Sequence, residues 1–237
     1  MSTLEVNSID KESGSTLTLG GSGTQVTVHA SATTSGFDSG LASVQTFTSS
    51  GTWTRPTGIT KVIMEVQGAG GGGGCDSTWT NIRGGCGGGY ARKFLDVSSI
   101  STATITVGSG GAGITSGGTA NAGGNSSWAD GTNTITGNGG DGANPNSYVS
   151  GYRGRSGGTA TGGDINIQGG NSQSVYTDTM GDSGTSVLGT AGMQCADSNQ
   201  PSAAQLNGTG YGSGGGGRLG GTSGSGADGI VIVWEYK

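Results

Sequence analysis

Three short motifs in the sequence have the residue types of nucleotide-binding or catalytic sites. Residues 108–113 and 137–142 fit the GxGxxG pattern of dinucleotide-binding loops, and residues 154–158 fit the GxSxG pattern of serine hydrolases. A dinucleotide loop needs a following helix whose N-terminus holds the pyrophosphate. A nucleophilic serine needs a strand-to-helix turn and a histidine base. Residues 114–118, after the first motif, cannot form a stable helix, and the sequences that flank the other two motifs do not fit these requirements either. We therefore expect no catalytic residues and no enzymatic activity.

Side chains that could bind a metal ion are few and irregularly spaced. His29 is the single histidine, which excludes the HExxH zinc motif. A calcium loop needs carboxylates at regular spacing, and the aspartates of the glycine-rich region have none. Cys75 and Cys86 could form a disulfide or remain reduced, and Cys195 leaves an odd number. We expect no metal and no cofactor.

Aromatic and polar side chains are concentrated in four inserts between glycine runs. Recognition surfaces use such side chains on loops held by a rigid scaffold, and tyrosine and arginine are enriched at binding hot spots. The inserts span residues 75–83, 144–155, 173–180 and 193–201. The candidate receptor-binding residues in them are Trp79, Arg83, Tyr148, Tyr152, Arg153, Arg155, Tyr176, Gln194 and Asn199. For any one of these residues, the alternative is that it packs against the base of its own loop.

The elements that must position these inserts are predicted to be β-strands. Apolar residues recur at every second position, which is the strand period. The run at 229–236 is dense in β-branched and aromatic residues, so we expect a central strand there. The pattern predicts an all-β fold with strands in the ranges 44–56, 61–67, 87–97, 103–108, 126–129, 133–136 and 229–236.

The first 45 residues form a separate compositional zone. Their alternating segments, at 4–9, 16–19 and 24–29, each offer one thin apolar face. About 45 residues rarely bury enough surface to fold alone. We therefore expect residues 1–45 to be a β-structured module that trimerises the chain, and residues 46–237 to form a second domain.

Glycine dominates the composition, with 56 of 237 residues, while charged residues are only 11%. The net charge of −5 argues against nucleic acid as a partner, which requires clustered lysine and arginine. No apolar run is long enough to insert into a membrane. Residues 137–228 have almost no strand pattern, so they are either disordered or packed as polyglycine-II helices whose backbones bond to each other. Because the chain must return to complete a sheet at 229, we favour the packed helices.

Several landmarks after residue 46 resemble the glycine-rich domain of bacteriophage tail fibres. The resemblance implies a jelly-roll-type β-sandwich that carries a bundle of polyglycine-II helices. It also implies a homotrimeric fibre tip on the virion, with a host surface receptor, either a glycan or an outer-membrane protein, and other tail or fibre proteins as partners. The landmarks are residues 47–56, 66–74, 88–91, 105–108 and 226–234.

Two other functions stay open on the sequence alone. The first is a structural fibre segment or capsid-decoration protein that does not bind a receptor. The second is an ice- or surface-adhesive polyglycine-II protein, which would present flat, regular arrays of small residues such as threonine. The irregular aromatic and arginine inserts argue against the ice-adhesive protein. The structural protein predicts that residues 144–155 can be replaced without loss of host attachment.

Overall fold

A computed structural model describes residues 40–76, 82–144, 155–172, 182–195 and 203–237. The predicted trimerising strands and His29 lie outside the described residues. The described strands are β1 (Leu41–Phe47), β2 (Gly51–Thr54), β3 (Lys61–Gln67), β4 (Cys75–Asp76), β5 (Tyr90–Asp96), β6 (Thr102–Thr106), β7 (Ser126–Ala129), β8 (Thr134–Gly137), β9 (Ala160–Thr161), β10 (Ile165–Ile167), β11 (Gly189–Thr190), β12 (Thr209–Gly210), β13 (Arg218–Leu219) and β14 (Ile230–Tyr236). One helical turn, α1, spans Ala203–Leu206.

Ten of these strands form two antiparallel sheets, which confirms the all-β prediction. The front sheet has the order β1-β14-β3-β5-β10 and the back sheet has the order β2-β6-β7-β8-β9. β14 lies between two neighbours, as expected for the run at 229–236. The predicted strand at 44–56 is divided, because β1 belongs to the front sheet and β2 to the back sheet. β1 also begins at Leu41, so residues 41–45 are part of this sheet and not only of the preceding zone.

The two sheets share one core built from alternating side chains. Trp53 and Trp128 of the back sheet are fully buried, with ring centroids 4.8 Å apart. Val62, Met64 and Val233 of the front sheet belong to the same cluster. The strand period puts every second side chain of each sheet into this space, so the two sheets form two layers over a common apolar centre.

One acidic side chain lies inside this core, on β14. Glu235 is fully buried, and it accepts hydrogen bonds from Trp53 Nε1 and Gln45 Nε2, each at 2.7 Å, and from Ser43 Oγ. A buried polar group is tolerated when it is hydrogen-bonded. Glu235 therefore joins β14, β1 and β2 across the two layers.

A third region, the glycine layer, continues from the ends of the sheets and is held by its backbone. Its centre is the segment 68–74, which follows β3 directly. The seven backbone amides of this segment donate hydrogen bonds to three neighbouring segments, 83–89, 121–124 and 224–227. Consecutive amides donate to these neighbours in turn, so every third amide donates to the same neighbour. Its carbonyl groups accept from three more segments, 108–113, 138–143 and 212–218. The central segment is thus surrounded by six others.

Glycine is required in this layer because the segments approach too closely for side chains. A Cβ atom on Gly70 would lie 1.9 Å from the carbonyl oxygen of Ser213, and one on Gly71 would lie 2.1 Å from that of Asp141. Backbone atoms cannot rotate away as a side chain can. The layer also begins at residue 68, so glycine segments well before 137 take part in it.

Candidate functional site

The described ends of the four inserts lie together at the end of the glycine layer farthest from the sheets. We call this the insert end. The segment 68–74 leads away from β3, and the segment 83–89 leads back into β5. The first insert therefore lies at the ends of these two segments that are farthest from the sheets. Antiparallel pairing of 120–123 with 140–143 places the start of the second insert at the same level. The glycine layer therefore acts as a spacer between the sheets and the inserts.

Direct hydrogen bonds join the first three inserts at their bases. Arg83 Nη1 donates to the carbonyl oxygen of Asn144 at 2.9 Å, which links the first insert to the second. The amide of Ser172 donates to the carbonyl oxygen of Arg155 at 3.2 Å, which links the second to the third. Neighbouring bases are thus held at fixed distances from each other.

The fourth insert closes this arrangement into a ring. Gln194 Nε2 donates to Ser183 Oγ at 2.7 Å, which links the fourth insert to the end of the third. Arg218 pairs in parallel with both Cys75 and Cys195, so β13 lies between the first insert and the fourth. All four inserts therefore begin or end on one connected set of described residues.

Three of the nine sequence-predicted binding residues are described, and all three contact the scaffold. Arg83 is buried and bonds to Asn144. Gln194 uses both ends of its amide, since its Oε1 also accepts from the Gly217 amide at 3.0 Å. Arg155 forms an ion pair with Asp141 at 3.1 Å and keeps 31% of its side chain exposed. Arg155 and Gln194 are both partly exposed, whereas Arg83 is buried.

The other six candidates lie outside the described residues, and their binding role stays a prediction. They are Trp79, Tyr148, Tyr152, Arg153, Tyr176 and Asn199.

Sequence reasoning missed two short turns at the same end. The amide of Ser223 donates to the carbonyl oxygen of Ile114, which holds the turn after Ile114 beside the turn before Ser223. Thr115, Ser116 and Thr222 are exposed there. These turns carry no aromatic residue or arginine, so composition offered no signal for them. Only the hydrogen bonding of the glycine segments places them next to the inserts.

The thiols near the insert end are buried and not joined by disulfides. Cys75 and Cys86 do not form the disulfide that their positions allowed. The Cys86 thiol donates to Ser172 Oγ at 3.3 Å, and burial raises the pKa of this thiol, so it stays protonated at neutral pH. Within the described ranges, no three His, Cys, Asp or Glu side chains are grouped so that they could hold a metal ion.

Comparison with known protein families finds one match. Residues 44–236, which are most of the chain, match a family described as a glycine-rich domain. Comparison with curated proteins finds no match. In the described part of the chain, no helix has the length and apolar character needed to cross a membrane.

Proposed function

The chain belongs to the glycine-rich domain family, and from this premise we propose that it is the tip of a bacteriophage tail fibre that binds a receptor on the host cell surface. The observation that carries the proposal is the ring of insert bases at one end of the glycine layer. The site is extracellular, on the virion, and it uses no cofactor and performs no reaction. The resemblance of residues 47–56 and 226–234 to tail-fibre sequences supports the phage context.

The ring matters because binding loops need a rigid base. A loop that is ordered only on binding loses conformational entropy at that moment, which weakens affinity. Here the bases of neighbouring inserts are held by Arg83–Asn144, Arg155–Ser172 and Ser183–Gln194. Sequence can therefore change inside an insert while the four attachment points stay in place. This separation suits a protein whose receptor differs from host to host.

The glycine layer is best explained as a bundle of polyglycine-II helices. Such a helix has three residues per turn and no internal hydrogen bonds. The rotation of the amides in 68–74 through three neighbours every three residues, and the six surrounding segments, support this assignment. With about 3.1 Å of rise per residue, seven residues carry an insert about 20 Å from the sheets. The jelly-roll type of the two sheets stays a prediction.

The receptor is a surface glycan or an outer-membrane protein. The inserts combine tryptophan and tyrosine with arginine, asparagine and glutamine, which offers flat apolar faces beside hydrogen-bonding groups. Tyrosine and tryptophan supply contact area at low entropic cost. Homotrimerisation through residues 1–45 would present three insert ends side by side and increase the avidity for a repeated surface ligand. The remaining fibre and tail proteins attach the trimer to the virion.

The test is binding of the purified full-length protein to whole host cells and to a glycan array. In separate variants, residues 77–81, 145–154, 173–181 and 196–202 are replaced by Gly-Ser sequences of equal length, which keeps every described base intact. The matched control is Thr132→Ser, an exposed position in the turn between β7 and β8, away from the insert end. We expect saturable binding that at least one insert variant loses and the control keeps. Binding that survives all four replacements would favour a structural fibre or capsid-decoration protein instead.

A second candidate function rests on the outer face of the back sheet. Threonine occupies most outward positions there, and the residues stand in cross-strand register. One row consists of Thr52, Thr104, Ala129 and Thr134. The other main row consists of Thr106, Ser127, Thr136 and Thr161. Strand spacing of about 4.8 Å makes this a regular array of methyl and hydroxyl groups, as an ice-adhesive protein would need. Thermal hysteresis in the purified protein, lost in Thr104→Lys, would support it.

A further inference from the structure

The outer faces of the two sheets differ in a way that the proposed adhesion does not explain. Seven large apolar side chains are exposed among the described residues, and five of them belong to the front sheet. The outward positions of the back sheet carry threonine and other small residues. Single exposed apolar residues need no explanation, but a contiguous group marks an interaction surface. The five residues are Leu41, Val44, Phe94, Ile165 and Ile167.

Strand register joins two of these exposed residues, Val44 and Phe94, through two half-buried apolar residues. Val44 lies opposite Trp234, Trp234 opposite Ile63, and Ile63 opposite Phe94. We call these four residues, which cross β1, β14, β3 and β5, the apolar row. Side chains opposite each other on neighbouring strands are about 5 Å apart. Val44 and Phe94, at the two ends, are 44% and 53% exposed, and the two inner residues are half-buried.

The rows on either side of the apolar row carry balanced charge. On one side Lys61 lies opposite Asp96, and on the other Glu65 lies opposite Arg92, with a 3.8 Å contact between them. A face with one cation and one anion in each flanking row attracts neither a basic nor an acidic partner. In a trimer each contact joins one part of a subunit's face to a different part of its neighbour's face. Lys61 and Glu65 on β3, and Asp96 and Arg92 on β5, each sum to zero charge, so such contacts form without net repulsion. This charge pattern favours self-association.

The position of β1 points to the same occupant. Among the described residues, β1 forms one edge of the front sheet and pairs on one side, with β14. Its seven residues include no charged residue and no proline, two of the features that normally protect an exposed edge, and its pairing is interrupted between Leu41 and Ser43.

We propose that the outer face of the front sheet, centred on the apolar row, is a subunit interface against a second copy of this chain in the trimer. This inference rests on the proposed homotrimeric fibre tip and extends its contact from residues 1–45 into the β-sheet body. The back sheet, with its threonine face, then lies on the outside of the trimer, and the insert ends point together along the fibre axis.

The experiment introduces single cysteines into the full-length protein at each end of the apolar row. Phe94→Cys, Val44→Cys and the double variant that carries both are the test variants, and Thr104→Cys on the back sheet is the matched control. Cys75, Cys86 and Cys195 are buried, and the wild-type chain measures any reaction at these sites. Each variant is treated with a short bifunctional maleimide and, separately, with a monofunctional one. Binding to host cells is measured on the same untreated samples.

We expect the double variant to yield cross-linked subunits at low protein concentration. We expect Phe94→Cys and Val44→Cys to react at least tenfold more slowly with the monofunctional reagent than Thr104→Cys. Rapid reaction at both positions without cross-linking would overturn the interface and leave a free surface. Slow reaction without cross-linking would also overturn it and would indicate cover by residues 1–39 of the same chain. If the interface is overturned in either way but the protein still binds host cells, the adhesin function stands. If the subunits cross-link but the protein does not bind host cells, only the adhesin function is rejected.

Discussion

The two-sheet body and the glycine layer are held together by opposite means. In the body, large side chains such as Trp53 and Trp128 fill the space between two hydrogen-bonded sheets. In the glycine layer, the absence of side chains lets six segments surround the segment 68–74 and bond to it through the backbone. The first region draws its stability from buried apolar area. The second draws it from satisfied backbone groups and close packing, so the two should respond differently to the same kind of substitution.

The largest effect is expected from adding one methyl group to the glycine layer. In Gly71→Ala the new Cβ would lie 2.1 Å from the carbonyl oxygen of Asp141, and the backbone of two segments would have to move apart. We expect a loss of more than ~4 kcal/mol, among the most severe for one substitution, or failure to fold. The matched control is Gly117→Ala, where nothing lies within 4 Å. Chemical denaturation of both variants measures the difference, and equal stability would contradict the backbone-packed layer.

A removal of side-chain volume should be the most damaging change in the body. Trp128→Ala empties a fully buried site that contacts Trp53, and a loss of about 3–5 kcal/mol is typical of such a truncation. Thr134→Ala, on the exposed face of the adjacent strand, should change stability by less than ~0.5 kcal/mol. Thermal and urea unfolding measure both. A Trp128→Ala variant as stable as Thr134→Ala would show that the common core contributes little to stability.

The smallest effect concerns the junction of the two regions, where Tyr90 begins β5 directly after the glycine segment 83–89. Burial raises the pKa of Tyr90 to about 12, and the nearby Glu65 carboxylate adds to the rise. Because the folded-state pKa lies above the unfolded value of about 10, the stability from this phenol is complete below pH 10 and is lost as the pH rises toward 12.

Tyrosinate absorbance checks this directly. We expect Tyr90→Phe to remove the phenol that titrates last. The free energy of unfolding should then fall less steeply between pH 10 and pH 12 than it does in the wild-type protein. A late-titrating phenol that persists in Tyr90→Phe would assign the raised pKa to another tyrosine.

Strands with clear alternation were predictable, and the inserts were only partly so. β3, β6, β7 and β14 form where period and β-branched residues indicated them. β10 was missed because its three residues, Ile165–Ile167, pair with β5 only in the folded chain. The inserts were recognisable by their aromatic and arginine content. Arg83 and Gln194 nevertheless bond to the scaffold, because long polar side chains at the base of a loop satisfy buried backbone groups that no local pattern reveals.

The sequence by itself determined the all-β class, the interior position of β14 in its sheet, and the family to which the chain belongs. These depend on local period, residue type and order along the chain. Only the tertiary structure decided which glycine segments are neighbours, that the four insert bases form a ring, and that the apolar row crosses four strands of one face. The reason is physical: glycine carries no side-chain pattern, so its partners are selected by backbone hydrogen bonds between segments as far apart as Gly73 and Gly224.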